Sequence, residues 1–252
     1  ADMEDEHPSD QPLKFPADMG YVPFHFYDNE HEPQGYTIDL MTEVARRLGR
    51  PGIELVDVSW SGIFAGLFAG KYELIMGGMY ITNERAEMMD ITEPIMSLFN
   101  GVAIRTKDAD KITCVEDLGG LKLGVPTGSQ QDEWATANRS KYGFEVTRFD
   151  KSADGVLALR TNKVDAYMAS TPTVRVFVSD EPSLIAAPFV LQPASTGWGV
   201  LNILGTGAAF RKGDPYRYEV EKVIEGMKLD GTLQGIFAKW ITTPSSGNYC
   251  NI

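Results

Sequence analysis

Between Tyr72 and Pro94 the chain reads YELIMGGMYITNERAEMMDITEP. An apolar run, Leu74-Ile75-Met76, ends in Gly77-Gly78, and a short polar turn leads to Arg85. Glycines at a strand end let a ligand approach backbone N–H groups closely. An arginine just beyond presents a planar fork that matches a carboxylate. From the residues alone this is a candidate anion site; a strand, a turn and a surface arginine describe it equally well. A second such junction is Pro126-Thr127-Gly128-Ser129, where a strand turns into a helix. Backbone N–H groups at a helix start favour an anion, and Ser129 adds a hydroxyl. A plainly capped helix is the other reading, and both can hold together. Catalytic groupings do not emerge by spacing. Of three histidines, His7 falls in the tail, and His25 and His31 fall in or near a loop. Neither a Ser/His/Asp arrangement nor a paired set of carboxylates can be assembled, so no enzyme is expected.

The elements that must position these residues follow from periodicity. Apolar alternation and helical spacing switch repeatedly, the signature of an α/β chain. Leu13-Lys14-Phe15 opens a strand. Thr37 reads as a helix N-cap, followed by an apolar face of Ile38, Met41, Val44, Ala45 and Leu48 and a stop at Gly49. Ile53, Leu55 and Val58 read as a strand, and Ile63, Phe64, Leu67 and Phe68 as the next helical face. Further strands are expected at 101–106, 121–125, 144–149, 166–168 and 207–211. A short helix carries Val156, Leu157 and Leu159. Val220, Val223, Ile224 and Met227 share a helix face, Asp230-Gly231 breaks it, and Leu233, Ile236, Phe237 and Trp240 share another.

Bulk properties narrow the classes. The 252 residues are 43% hydrophobic and 23% charged, an ordinary globular composition for one large domain or two lobes. A net charge of −12 argues against nucleic acid and anionic membranes as partners. No run approaches the roughly 18–20 apolar residues that span a bilayer. The opening ADMEDEHPSD is acidic, as expected of a mature or trimmed N-terminus, and residues 1–11 read as a disordered tail. The two cysteines, Cys114 and Cys250, form no CxxC or Cys/His cluster, so neither a metal nor another cofactor is expected.

The segment Gly78-Met79-Tyr80-Ile81-Thr82-Asn83-Glu84-Arg85 resembles the Gly-x-Thr-x-Thr-x-x-Arg ligand loop of the polar amino acid-type periplasmic solute-binding proteins, receptors of ABC importers. Other stretches resemble the same family in the same order. They are GYVPFHFYDNEHEPQGYTIDLMTEVARRLG, VSWSGIFAGLFAGKYELIMGG, LGGLKLGVPTGSQQDEW, KVDAYMASTPTVRVFV and FRKGDPYRYEVEKVIEGMKLDGTLQGIFAKWI. Together they cover most of Leu13 to Ile241. The resemblance implies an α/β, two-lobed type II periplasmic-binding-protein fold, each lobe a mixed, mostly parallel sheet flanked by helices. Residues 12–103 and 206–252 would form lobe 1, residues 104–205 lobe 2, and a two-strand hinge would let them close on a ligand. It also implies a periplasmic or extracellular-face location, with or without a lipid anchor, and a monomer that partners an inner-membrane ABC permease. In such an exported protein Cys114 and Cys250 form a disulfide or remain two thiols.

The resemblance assigns Arg85 to the ligand carboxylate and Gly78 to backbone contacts. Tyr80 departs from the usual Thr or Ser, exchanging a short hydroxyl for an aromatic face. Gly128, Ser129 and Gln130 stand where the family has Gly-Thr-Thr. Tyr21 and Trp60 match aromatics that flank the ligand, although each is also an ordinary core residue, and Asp18 matches a position that can face it. Ser170 stands where amino acid binders usually carry the aspartate that pairs with the α-ammonium. A buried ammonium needs a paired charge or an aromatic cage. With Tyr21, Trp60 and Tyr80 as the cage, the favoured ligand is a small zwitterion with a diffuse cation, such as a betaine or an ectoine-like solute. An ordinary amino acid recognised through Asp18 is the second reading, and an anionic or aromatic acid the third. A dehydratase-type enzyme on the same fold and a sensor ectodomain are the rival classes.

Overall fold

The computed structural model describes residues 7–191 and 205–241. These fall into two compact units, one of residues 7–97 and 205–241 and the other of residues 98–191.

In the first unit β1 (Leu13–Ala17) lies parallel to β4 (Ile53–Asp57), with Leu13 opposite Ile53 and Ala17 opposite Asp57. Between them run a small ribbon of β2 (Phe26–Tyr27) and β3 (Pro33–Gln34), and α1 (Tyr36–Arg47). Ile38, Met41, Val44 and Ala45 of the expected apolar face of α1 are buried and Leu40 and Tyr36 join them, while Leu48 caps the helix end half-buried. Thr37 does not cap this helix: Gly35 does. Gly35 takes φ 122°, and a Cβ there would meet the Phe24 carbonyl oxygen at 2.4 Å, so only glycine makes the entry. Thr37 turns inward instead, and its Oγ1 lies 3.2 Å from His25 Nδ1. Helix α2 (Trp60–Phe68) follows β4. Leu74-Ile75-Met76 is not a regular strand. It makes one antiparallel bridge, Ile75 with Ala209, because Gly77 and Gly78 both take positive φ and end the ladder. Then come α3 (Asn83–Met88) and β5 (Met89–Ile91), which pairs with β11 (Ala209–Arg211); α7 (Tyr216–Leu229) and α8 (Thr232–Trp240) close the unit.

The second unit is a five-stranded sheet of β6 (Asn100–Arg105), β7 (Lys122–Pro126), β8 (Glu145–Phe149), β9 (Ala166–Ser170) and β10 (Leu184–Leu191). The spatial order is β10-β6-β9-β7-β8. The β7–β8 and β7–β9 pairs are parallel, and the β6–β9 and β10–β6 pairs antiparallel. Helices α4 (Gln130–Tyr142), α5 (Ser152–Arg160) and α6 (Thr171–Ser179) cover it, with apolar clusters about Leu123, Trp134 and Phe189 and about Tyr167, Leu159 and Val174. The turn at Pro126-Thr127-Gly128-Ser129 announced α4, and apolar spacing revealed α5. Periodicity did not reveal α6, α3, β5 or β10, which are short or run from a proline-bearing turn.

Residues 1–6 of the expected tail, and Cys250 of the expected cysteine pair, lie outside the described residues. His7, by contrast, is anchored. Its ring stacks on Tyr216 at 4.1 Å, Nδ1 is 2.9 Å from Glu73, and Nε2 is 3.0 Å from Asp214. Arg50 completes the knot with a bidentate pair to Glu73 (2.9 and 3.0 Å), a bond to the Tyr216 hydroxyl (2.9 Å), and bonds to the carbonyls of Gln11 and Pro12. The Cys114 thiol reaches Asp117 at 3.5 Å.

Burial pulls the His7 imidazolium down, but its hydrogen bonds to Asp214 and Glu73 outweigh that and push its pKa from 6.5 up to about 9. Burial raises the Glu73 carboxyl, but hydrogen bonds from His7, Arg50 and the Lys14 amide outweigh that, so it stays ionised across this window. A raised pKa means that the folded state holds the proton more tightly. The His7 contribution is therefore complete below pH 6.5 and lost as pH rises through about 9. We expect His7→Ala to destabilise the protein by on the order of 2–3 kcal/mol at pH 6, with the gap shrinking towards pH 10. Urea unfolding of both proteins at pH 6, 8 and 10 reads this directly. A gap that does not change with pH would show that folding leaves the His7 pKa unshifted.

Candidate functional site

In the first unit, six of the expected residues converge on α2, α3 and the end of β1. Asp18 follows β1 directly, and its Oδ2 accepts the backbone N–H of Trp60 at 3.0 Å, capping α2 where Ser59 makes no side-chain cap. Sequence reasoning placed Asp18 near the ligand but missed this capping role. The signal was available: an acid at a strand end, with a helix starting after the neighbouring parallel strand.

Trp60 and Phe64 lie one turn apart on α2, their rings edge to face at 5.4 Å. The Arg85 guanidinium carbon sits 5.4 Å from the centroid of each. Arg85 Nη1 also donates to the Tyr80 carbonyl at 2.8 Å, and Thr82 caps α3 by accepting the Arg85 backbone N–H at 3.2 Å. Arg85 is thus not a surface arginine: it is 3% exposed. Tyr80 is 4% exposed, and its backbone bridges Thr206. Tyr21 stacks on Phe24 at 4.8 Å and lies over Gly78, where a Cβ would come within 3.1 Å of the Tyr21 ring. Gly78 takes φ 80°, so glycine is required there both for the backbone and for the ring above it. The three rings expected to flank a ligand's cation also have partners within the protein. Trp60 faces the protein's own guanidinium, Tyr21 pairs with Phe24, and Tyr80 is buried. His25, beside Tyr21, is pushed down to about 3 by burial and is therefore neutral.

In the second unit the four remaining candidates gather around the start of α4 and the end of β9. Ser129 Oγ donates to the Pro126 carbonyl at 2.7 Å and accepts the Asp132 backbone N–H at 3.2 Å. The Gly128 N–H goes to the Asp132 carboxylate at 3.0 Å, which also pairs with Arg148. The capped-helix reading therefore accounts for Gly128 and Ser129. Gln130 is different. It is 2% exposed; its Oε1 accepts from Asn100 Nδ2 at 2.8 Å, and among the described residues its Nε2 has no hydrogen-bond partner. Asn100 Oδ1 in turn accepts from Gln131 at 2.8 Å. Asn100 was not anticipated, although a lone amide at the head of the apolar run NGVAI is a legible signal. It faces Ser170 across the β6–β9 ladder. Ser170 is fully buried, and its hydroxyl pairs with Thr173 at 2.7 Å. Among the described residues, no cluster of three His, Cys, Asp or Glu side chains could hold a metal.

We expect Arg85→Ala to lower stability by about 1–3 kcal/mol even without ligand, because it removes a buried cation from two rings and a carbonyl. Arg85→Lys should lose less. Ser129→Ala should cost about 1 kcal/mol through the lost α4 cap. Chemical denaturation of the three variants checks these values, and wild-type stability of Arg85→Ala would show that the ring contacts contribute nothing.

Comparison with known proteins matches this geometry to a family. A probable histidine-binding protein of Campylobacter jejuni is 31% identical over 176 residues, covering 69% of this chain and 66% of its own length. The L-cystine-binding protein TcyJ of Escherichia coli is 25% identical over 221 residues, 87% of this chain and 79% of its own. Among solved structures, an ancestral arginine-binding protein bound to arginine superposes with a TM-score of 0.83 at 26% identity, covering 93% of this chain and all of that one. Residues 13–243 match the family as a whole, and the chain belongs to the bacterial extracellular solute-binding proteins, family 3, with their two-lobed type II fold.

Proposed function

We propose that this chain is the extracytoplasmic receptor of an ABC importer and that it captures an ordinary α-amino acid. The observation that carries this reading is the Arg85 guanidinium, held between Trp60 and Phe64 at the start of α3, in a chain whose relatives are named for binding histidine, cystine or arginine. A guanidinium fixed by rings and a backbone carbonyl presents its fork in one orientation, which suits a bidentate carboxylate. Asp18 is the one acid among the ten candidate residues, and it is assigned to the ligand ammonium. The betaine and ectoine preference gives way, because it required Trp60 and Tyr80 to face a ligand cation. The relatives are named as binding proteins, so transport rather than dehydration is the reaction class. The partner is a membrane permease, and the location is the periplasm or outer face of the membrane.

A thermal-shift and calorimetry screen of the twenty amino acids, glycine betaine and ectoine tests the proposal. A true ligand at 100 times its dissociation constant adds about 2.7 kcal/mol of stability. At least one amino acid should do so, and Asp18→Asn, which keeps an acceptor for the Trp60 N–H, should weaken it about tenfold or more. Tight binding of betaine or ectoine with no amino acid response would overturn the assignment. Wild-type affinity in Asp18→Asn would move the ammonium partner elsewhere.

A further inference from the structure

We infer that Phe64 is a positioning residue for the ligand carboxylate: it acts through Arg85 by fixing the plane of its guanidinium. The inference rests on the reading of Arg85 as the carboxylate grip, but it concerns a residue to which that reading gives no role. Phe64 and Trp60 project from successive turns of α2, and Arg85 lies 5.4 Å from both ring centroids. One ring restrains a guanidinium on one side and leaves it free to pivot. Two rings set edge to face, at an interplanar angle of 79°, restrain it along two directions.

The rings can do this only if α2 itself is fixed, and three contacts fix it. Asp18 caps its first residue. The Tyr72 hydroxyl donates to the Ile63 carbonyl, one residue before Phe64. The Tyr72 ring also packs so closely on Gly66 that any Cβ there would overlap it. Phe64 is therefore carried on a helix pinned at its start and on its inner face, and Ile63 and Leu67 are buried on either side of it. Arg85 is held from its own side by the Tyr80 carbonyl and the Thr82 cap. An arginine side chain loses most of its rotamer freedom when it is fixed. A site that has fixed it in advance does not meet that loss again on binding.

The test follows the guanidinium directly. In wild-type protein labelled with 15N-arginine, the Arg85 Nη signals, assigned by their absence in Arg85→Lys, should be resolved and in slow rotational exchange. In Phe64→Leu, which keeps an apolar side chain, they should broaden or merge. In Phe64→Tyr, which keeps the ring, they should stay resolved. Affinities for L-arginine and L-histidine should fall about three- to tenfold in Phe64→Leu, with smaller losses for the matching carboxamides, and recover in Phe64→Tyr. A merely structural role would lower acid and amide alike. In an Arg85→Lys background, the Phe64→Leu effect should largely vanish. If Arg85→Lys binds both amino acids as wild type does, the carboxylate reading fails whatever Phe64 does. If Arg85→Lys weakens binding while Phe64→Leu changes neither guanidinium exchange nor acid-to-amide preference, the positioning role is wrong.

Discussion

Burying a permanent cation is the constraint around which the first unit is arranged. Guanidinium cannot shed its proton to escape a poorly solvating site, so every buried arginine needs compensation from its surroundings. Arg85 finds it in two ring faces and the Tyr80 carbonyl. Each partner then imposes its own demand. The rings need a pinned α2, the carbonyl needs the chain reversal that Gly77 and Gly78 allow, and α3 needs the Thr82 cap. The segment that reads as a strand, a turn and an arginine is a set of mutually dependent placements.

Arg50 shows the other solution. Its fork is matched by both oxygens of Glu73, and its remaining donors by Tyr216 and two carbonyls. It ties the start of β1 to α7 and draws His7 into the same acidic knot through Glu73. That arginine is a joint. The contrast between them is chemical. Arg50 is matched by a carboxylate fork, while the rings beside Arg85 stabilise its charge through their quadrupoles.

The sequence made legible whatever depends on local pattern. The α1 face, the strands at β1, β4, β7 and β8, and the Asp230-Gly231 break all follow from periodicity and turn chemistry; β1 and β7 bury their apolar residues, while those of β4 and β8 are half-buried. The stretch 74–76 was misread because its composition is that of a strand. The two positive-φ glycines after it, which the sequence does show, limit it to one bridge. Arg85 and Gly78 were legible as chemistry; the burial of Arg85 was not, since burial is decided by what folds over a residue. Phe64 was placed on the core face by its helical spacing, and only the tertiary approach of α3 gives it a cation to face. Asp18, Asn100 and Ser170 share that difficulty: each has a partner distant in sequence or hidden in a turn.

Ser170 gives the clearest case of a local residue choice constrained by packing. Its position is fully buried at the junction of β9 and α6, opposite Asn100 in the ladder. A hydroxyl suits it, because Thr173 is within hydrogen-bonding distance and the pair satisfies itself. A carboxylate in the same place would exceed what one threonine hydroxyl can solvate and would need a cation beside it. The second unit has instead built neutral polar chemistry here, two hydroxyls and a chain of three amides from Gln130 through Asn100 to Gln131. Such a network is held together by the direction of its hydrogen bonds rather than by charge. The two charged residues among the candidates both lie in the first unit, where Asp18 accepts the Trp60 N–H and Arg85 faces the Trp60 and Phe64 rings.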